Sequence, residues 1–416
     1  MRQVFEGVRL IDGTGAGPAG PVDIVIREGR IGALLDPAAG PRARGPSDEP
    51  EERFDGRGLS ALPGLIDAHA HYTFDPTEGS LQAISRRTDA AILSRAADHA
   101  ALAVRAGITT ARGAGSIRGL EFVLRDEIAA GRIPGPRIVA AGTAVGAADG
   151  HGAAFGLEAT GPEAMRRATE QVIAAGADVV KVVASEAAML TTTGHEPGRL
   201  VFGRPELSID ELTALVDTAR RHGRRVMAHA QDAESVIRCA RAGVDSIEHA
   251  WLADAAAIEQ VRASGCTLVP TLVVTDVNRT LDGLTAEQRA RQDLIEATHR
   301  TSCRSAVALG VPMAAGTDTG EVGVTADLVW REIALLVAHG MTALAAIAAA
   351  TSGAARLLGV DAELGSIVAG KRADLVLVAG DPLTDLARLA APRYVIQGGR
   401  LVVRPARTGP DPAASS

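Results

Sequence analysis

The 416-residue chain is poor in cysteine, in aromatic residues and in basic charge, and each shortage excludes a class of protein. Its three cysteines, Cys239, Cys266 and Cys303, lie far apart and form no CxxC pair, which argues against a disulfide framework and a thiolate metal site. The formal net charge of −7 leaves no basic excess to neutralise nucleic-acid phosphates. Because aromatics make up only 2% of the chain, we expect a core of Ala, Val, Leu and Ile.

Long apolar runs are scarce as well. The N-terminal residues do not form an apolar signal region, and the Ala-rich run at 342–350 is too short to span a bilayer. We therefore expect a cytoplasmic protein that has neither a membrane nor a nucleic-acid partner.

Lysine is the scarcest charged residue, since only Lys181 and Lys371 occur among 43 basic residues. Lys181 lies in the run Val-Val-Lys-Val-Val at 179–183, where an unpaired charge would cost a large desolvation free energy. One interpretation is that its amine snorkels outward or pairs with a carboxylate. The interpretation that we favour is carboxylation by CO2, because the resulting carbamate offers two oxygens that can bridge two divalent ions. Arginine, used almost everywhere else, does not undergo this chemistry readily.

Short β-branched segments with glycine turns occur at both ends of the chain. The strands that they predict are 3–12, 22–35, 374–378 and 394–403. We expect residues 1–61 and 360–405 to combine into one small β-sandwich domain. Residues 36–53 are predicted to be a mobile loop, and 406–416 a disordered tail.

Between these ends, at 62–359, apolar strands alternate with amphipathic helices. The predicted strands are 62–67, 107–111, 137–141, 178–183, 225–229, 244–249, 267–271 and 311–318. The predicted helices are 88–106, 119–131, 162–175, 208–222, 232–242, 254–264, 284–309, 324–339 and 342–358. Eight such units indicate an α/β fold with a closed (β/α)8 TIM barrel.

Several ionisable residues lie in or just after these strands. They are His69, His71, Lys181, His229, His249 and Asp318. The C-terminal strand ends of such a barrel meet at one mouth, and side chains two apart on a strand point to the same side. A single histidine after a strand is usually just a hydrogen-bonded residue, but the whole set predicts a metal centre.

The order and the flanks of these residues resemble the amidohydrolase superfamily. The segments that carry the resemblance include Leu-Pro-Gly-Leu-Ile-Asp-Ala-His-Ala-His at 62–71, Ala-Gly-Val-Asp-Ser-Ile-Glu-His at 242–249 and Gly-Thr-Asp-Thr-Gly at 316–320. They are similar to one branch in particular, which contains imidazolonepropionase-like hydrolases, Xaa-Pro and Xaa-Arg dipeptidases, and ochratoxin- and carbamate-cleaving amidases. The resemblance extends over nearly the whole chain.

This resemblance implies a binuclear centre, most often of zinc, although its nitrogen and oxygen ligands also suit Mn and Co. The implied ligands are His69, His71 and Asp318 for the first ion, His229 and His249 for the second, and carboxylated Lys181 as the bridge. Two dications would convert a bridging water into hydroxide near neutral pH. Asp318 would take its proton and pass it to the leaving amine. His151, in a Gly-His-Gly element, would help to hold the tetrahedral oxygen, unless it is a loop histidine without a role.

Candidate substrate contacts are few. Arg112 ends the second barrel strand and is expected to face the mouth. Tyr72, directly after His71, either lines the pocket or packs in the core. Arg199 and Arg204 either bind a substrate carboxylate bidentately or are solvated loop residues.

The chain departs from this branch at Gly113, where members often have Asp, and in the loop 184–207. The implied activity is hydrolysis of an amide C–N bond in a small molecule, namely a dipeptide or an N-acyl amino acid. Hydrolysis of a carbamate, cyclic amide or lactone at the same centre is the alternative, and a barrel without catalysis is a further one. Deamination is less favoured, because deaminases of the superfamily usually hold one metal and lack the strand-four lysine. By analogy alone, we expect a homo-oligomer.

Overall fold

The computed structural model describes residues 2–39, 50–78, 81–186 and 203–405. In chain order, the strands are β1 (Arg2–Leu10), β2 (Ala19–Arg27), β3 (Arg30–Leu35), β4 (Glu51–Asp55), β5 (Leu59–Pro63), β6 (Leu65–Ala70), β7 (Ile108–Gly113), β8 (Arg137–Val139), β9 (Ala144–Gly146), β10 (Gly156–Glu158), β11 (Val179–Val183), β12 (Arg225–Asp232), β13 (Ser246–Leu252), β14 (Thr267–Val269), β15 (Leu375–Ala379), β16 (Tyr394–Gln397) and β17 (Arg400–Val403).

Most helices lie between the strands of the middle part. They are α1 (Leu81–Ser85), α2 (Asp89–Arg105), α3 (Leu120–Ala129), α4 (Pro162–Ala174), α5 (Ile209–Arg221), α6 (Ala233–Ala242), α7 (Ala255–Ser264), α8 (Leu272–Asn278), α9 (Ala286–Ala308), α10 (Val329–Ala338), α11 (Ala343–Ala349) and α12 (Ser352–Leu358). The single helix predicted at 342–358 is divided at Thr351, whose φ of −135° and ψ of −97° are not helical. The short helix α8 was not predicted.

Capping side chains determine where several of these helices begin. At the start of α5, the Ser208 hydroxyl accepts the Glu211 amide, and the Glu211 carboxylate accepts the Ser208 amide in return. Thr285 and Gln288 form the same reciprocal arrangement at α9. Each pair satisfies backbone N–H groups that the first helical turn leaves without an intrahelical partner.

The terminal strands join in one eight-stranded sheet of order β17-β16-β15-β5-β1-β2-β3, with β4 also paired to β1. The antiparallel pair β5–β15 links the N-terminal strands to the C-terminal ones. The two terminal segments therefore share one hydrogen-bonded sheet, and the predicted β-sandwich form of this domain stays a prediction. The loop prediction at 36–53 was wrong for its last residues, because β4 begins at Glu51 and runs parallel to β1. The predicted tail 406–416 lies outside the described residues.

The middle part contains two parallel sheets, β6-β7-β8 and β10-β9-β11-β12-β13-β14. The predicted strand at 311–318 is not a regular strand, but it lies between them: the Ala314 amide donates to the Leu268 carbonyl at 3.0 Å, and the Ala68 amide donates to the Ala315 carbonyl at 2.9 Å. Individual bonds thus take the place of a ladder here. No continuous ladder closes the described strands into one barrel.

The core is built mainly of Ala, Val, Leu and Ile, as the composition predicted. In β11 all four valines are buried, which leaves Lys181 as the one polar side chain of that strand. Among the described residues, no helix is both long and apolar enough to cross a bilayer.

Candidate metal centre

Three side chains from the two ends of the middle part meet at one point. His69 and His71 lie at the end of β6 and just after it, and Asp318 lies in the segment that adjoins β6. The Nε2 atoms of His69 and His71 are 3.2 and 3.3 Å from the same oxygen, Asp318 Oδ1. All three side chains are buried, and one ligand atom from each lies within 4.8 Å of the others. This spacing allows the three atoms to hold one cation.

The other predicted histidines continue this cluster as a row of adjoining rings. The centroid of His249 lies 4.9 Å from that of His69 and 4.6 Å from that of His229. His151 follows, at 5.0 Å from His229. Strands β6, β12 and β13 and the segment around Asp318 therefore bring these predicted residues together in one cluster.

The protonation states of the cluster suit a cation. Burial lowers the pKa of His71, and it lowers the pKa of His229 and His249 well below the usual value, so that these rings are neutral and have a free lone pair. Burial opposes ionisation of Asp318, but the neighbouring His69 and His71 side chains hold its pKa well below the usual range. Neutral imidazoles and a carboxylate are the forms that ligate metal ions.

Two buried nitrogens also indicate a missing partner. His69 Nε2 and His229 Nε2 make no hydrogen bond within the described part of the chain. Buried polar atoms are nearly always satisfied, and an orphan requires an explanation. Coordination of a divalent ion satisfies both, so the residues fit the implied metal.

Lys181 lies in the middle of β11, with 2% of its surface exposed. Its partner in the neighbouring strand is Met227, two residues before His229. Burial lowers the pKa of its amine to about 8, chiefly by desolvation. The amine makes no hydrogen bond or ion pair to any residue that the structure describes. Neither snorkelling nor pairing with a described carboxylate therefore accounts for it.

His151 starts a short helical turn and is only partly exposed. Its backbone amide donates to Glu206 Oε1 at 2.7 Å, which fixes the turn next to the histidine row. Burial lowers the pKa of the ring to about 4, so His151 is neutral near pH 7. A neutral ring can still donate one N–H.

The structure describes three of the four predicted substrate contacts. Arg112 is buried beneath the histidines rather than at the mouth, and its Nη2 donates to Glu248 at 2.9 and 3.1 Å. Tyr72 belongs to the main apolar core, so of its two interpretations the structure favours packing. Arg204 is exposed, and its Nε lies 3.9 Å from the Glu186 carboxylate. Arg199 lies outside the described residues.

Sequence reasoning missed Glu248, which is fully buried next to His249. Burial alone would raise its pKa, but the Arg112 guanidinium and the His69 N–H bring it down to about 2. Its Oε2 lies 2.7 Å from His69 Nδ1. The signal that could have revealed it was the presence of a carboxylate directly before a predicted ligand.

The departure at Gly113 also has a structural counterpart. A Cβ atom built on Gly113 would lie 1.5 Å from Glu121 Oε1. Glu121, on α3, is 1% exposed, and its Oε2 accepts the Gly142 amide at 2.9 Å. A carboxylate from a helix thus occupies the space into which a side chain at 113 would extend.

A sequence model described as the Amidohydrolase family matches residues 60–402. The ochratoxinase of Aspergillus niger is 30% identical over 382 residues, which cover 83% of this chain and 76% of that protein. A solved structure of a Xaa-Pro dipeptidase with bound methionine in its active site has a TM-score of 0.84 at 29% identity, covering 96% of this chain and 99% of that chain. The crystal structure of A. niger ochratoxinase also gives 0.84, at 26% identity, with 97% of this chain and 96% of that chain covered.

Proposed function

Because the chain belongs to the amidohydrolase family, as residues 60–402 indicate, we propose that it uses two divalent ions to hydrolyse an amide bond in a dipeptide or N-acyl amino acid. As a member of this family with peptidase relatives, it is a hydrolase that acts on carbon–nitrogen bonds. The observation that carries the metal-dependent part is the approach of His69 Nε2 and His71 Nε2 to Asp318 Oδ1, at 3.2 and 3.3 Å.

In this proposal the ions lie at the mouth of a closed (β/α)8 barrel and are zinc, with Mn or Co as substitutes that suit the same donors. His69, His71 and Asp318 would hold the first ion, and His229 and His249 the second. Lys181, as a carbamate, would supply an anionic ligand to both. The neutral amine would form an N–C bond to CO2 while the electron pair of one C–O π bond moves onto oxygen, and one N–H proton would pass to water, which leaves an anionic carbamate.

The chain's own residues move the protons. When bound, two dications lower the pKa of water and polarise a carbonyl group. Asp318 accepts a proton from the attacking water on Oδ2, the oxygen that is not shared by His69 and His71, and delivers it to the leaving nitrogen. His151 donates a ring N–H to the oxygen that becomes negative as the carbonyl carbon turns tetrahedral.

The choice of an amide substrate is supported by two relatives of the chain. One solved relative is a Xaa-Pro dipeptidase, and the curated relative from A. niger is an ochratoxinase. We propose a small-molecule amide substrate, and, by analogy with this superfamily alone, a homo-oligomer.

A substrate panel tests this activity. Zinc-loaded protein is incubated with Xaa-Pro and other dipeptides and with N-acyl amino acids, in parallel with esters, lactones, carbamates and cyclic amides. We expect turnover of at least one linear amide, and none by Asp318→Asn. Turnover confined to carbamates, cyclic amides or lactones would favour the alternative substrate class. If no amide were hydrolysed, the proposed substrate class would be wrong.

Substitution of Lys181 tests the bridge. We expect Lys181→Ala to hold about one ion per chain instead of two and to lose activity, because the bridging anion is gone. A short-chain carboxylic acid should partly restore binding of the second ion and the activity. The chain offers a matched control in its other lysine: Lys371 bonds to Ser366 Oγ and two carbonyls near the terminal sheet, and Lys371→Ala should keep both ions. Two ions and full activity in Lys181→Ala would contradict the bridge.

A further inference from the structure

We infer that Glu248 and Arg112 are positioning residues, which hold the ring and the backbone of His69 so that Nε2 faces the first ion. This inference rests on the proposed metal-dependent function and concerns the geometry of one ligand. The residues involved come from three strands, with His69 on β6, Arg112 on β7 and Glu248 on β13. All three are almost completely buried.

Hydrogen-bond donors and acceptors around Glu248 determine the tautomer of His69. The Ser246 hydroxyl donates to Glu248 Oε1 at 2.5 Å, and Arg112 Nη2 donates to both carboxylate oxygens. An ionised carboxylate can only accept, so the Nδ1 atom of His69, 2.7 Å from Oε2, must carry the proton. With the proton on Nδ1, the nitrogen of His69 that offers a lone pair to a metal ion is Nε2, the atom that lies 3.2 Å from Asp318 Oδ1.

Arg112 fixes the backbone of the same ligand. Its Nε donates to the carbonyl oxygen of Ala68, the residue before His69, at 2.7 Å. Its Nη1 donates to the Ser246 hydroxyl at 2.8 Å. One guanidinium thus connects the strand of His69 to the strand of Glu248, and the planar fork of arginine supplies donors in directions that a lysine amine cannot reproduce together.

Two of the other proposed ligands have neutral hydrogen-bond partners. His71 Nδ1 lies 2.9 Å from the carbonyl oxygen of Gly115, and His249 Nδ1 lies 2.9 Å from the Thr271 hydroxyl. A carboxylate partner makes an imidazole a more basic ligand than a neutral partner does. Loss of the charge at Glu248 should therefore weaken binding of the first ion selectively and leave binding of the second ion unchanged.

Zinc affinity, measured by competition with a chromophoric chelator, tests the inference without reference to activity. We expect Glu248→Gln to bind the first zinc about 10- to 100-fold more weakly and the second with little change. Arg112→Lys should also weaken binding of the first zinc, by a smaller factor, because lysine keeps the positive charge but lacks the planar guanidinium group. The matched control is Asp374→Asn: Asp374 is buried and paired with Arg137 at 3.0 Å, and it contacts none of the ligands.

Each outcome decides one question. Equal affinity of wild type, Glu248→Gln and Arg112→Lys for the first zinc would overturn the inference alone. Equal weakening of both zincs, or the same loss in Asp374→Asn, would also overturn it, because the effect would then be general. If Glu248→Gln does not fold, Arg112→Lys decides. A wild-type protein that binds no zinc would overturn the proposed function itself.

Discussion

Gly113→Ala would bring its added carbon closer to another atom than the same change at any other glycine that the structure describes. The added Cβ would lie 1.5 Å from Glu121 Oε1 and 2.2 Å from Glu121 Cδ, and contacts under 3.0 Å are not found for real Cβ atoms. The φ angle of Gly113 is not in the left-handed region, so backbone strain does not contribute. The expected cost is therefore the cost of displacing one buried carboxylate.

Displacement of that carboxylate has two costs. The Gly142 amide, which donates to Glu121 Oε2 at 2.9 Å, loses its acceptor, and a buried donor without a partner costs about 1–3 kcal/mol. Insertion of a carbon into a packed site costs about 1–3 kcal/mol more. The sum of roughly 2–6 kcal/mol should lower the melting temperature by about 2–7 °C, at an unfolding entropy of about 2.1 cal/mol/K per residue.

A double-mutant cycle identifies the cause. Glu121→Ala should destabilise the protein on its own, since it leaves a void and the unpaired Gly142 amide. In Gly113→Ala/Glu121→Ala the new methyl group has no carboxylate to displace, so the double variant should be more stable than the sum of the single costs predicts, by about 1–3 kcal/mol. Gly113→Asp in the Glu121→Ala background should recover more stability than Gly113→Ala does, because a carboxylate on the strand then enters the space that Glu121 has left.

Thermal unfolding of the metal-free proteins, followed by circular dichroism, measures these shifts. Gly17→Ala is the control, because the space around Gly17 is open and its φ is not positive. Additive losses in the cycle, or a Gly113→Ala variant as stable as Gly17→Ala, would refute the steric argument.

Two further predictions concern groups at and near the site. Glu332 accepts the amides of Leu272 and Val273, and burial raises its pKa from 4.5 to about 8. The contribution of protonated Glu332 to the free energy of unfolding is complete below about pH 4.5 and is lost as the pH rises towards 8, at up to about 1.4 kcal/mol per pH unit. The melting temperature of Glu332→Gln should therefore fall less steeply than that of the wild type between pH 4.5 and 8. Parallel curves of melting temperature against pH for the two proteins would contradict this. His151→Gln should lower kcat about 100- to 1,000-fold with both zinc ions retained, and an unchanged kcat in steady-state assays would exclude the oxyanion role.

The sequence predicted the family and the main elements well. The alternation of strands and helices depends on local periodicity, and most element boundaries lie within a few residues of those predicted. The family prediction is confirmed by the match over 60–402. The approach of His69, His71 and Asp318 follows from the same pattern, because parallel strands place their C-terminal ends at one edge.

The direction of individual side chains was less predictable. Strand alternation implies that Glu248 and His249 point to opposite faces, yet Glu248 contacts His69 and the His249 ring lies 4.9 Å from the His69 ring. His249 and Ala250 have φ angles of 75° and 50°, which interrupt the extended backbone and its alternation. Sequence periodicity does not reveal such a break. Arg112 was misplaced for a similar reason, since its position in a strand does not say how deep its side chain lies.

The Gly113–Glu121 arrangement could not be predicted either. The contact depends on how α3 packs over the end of β7, which is a tertiary relation between neighbouring units. The sequence indicated only that a side chain was missing at 113. Another residue's carboxylate in that space is visible only in three dimensions.

The bond between Asp318 and His69 has a consequence for the order of events during synthesis. The Asp318 amide donates to the His69 carbonyl at 2.8 Å, and the Asp318 carboxylate completes the first ligand set. A ribosome makes His69 early and Asp318 only after most of the middle part, so a nascent chain carries its histidines without the anion that joins them. Under the proposed metal-dependent function, capture of the first ion is a late event, which occurs once the segment around Asp318 has docked against β6.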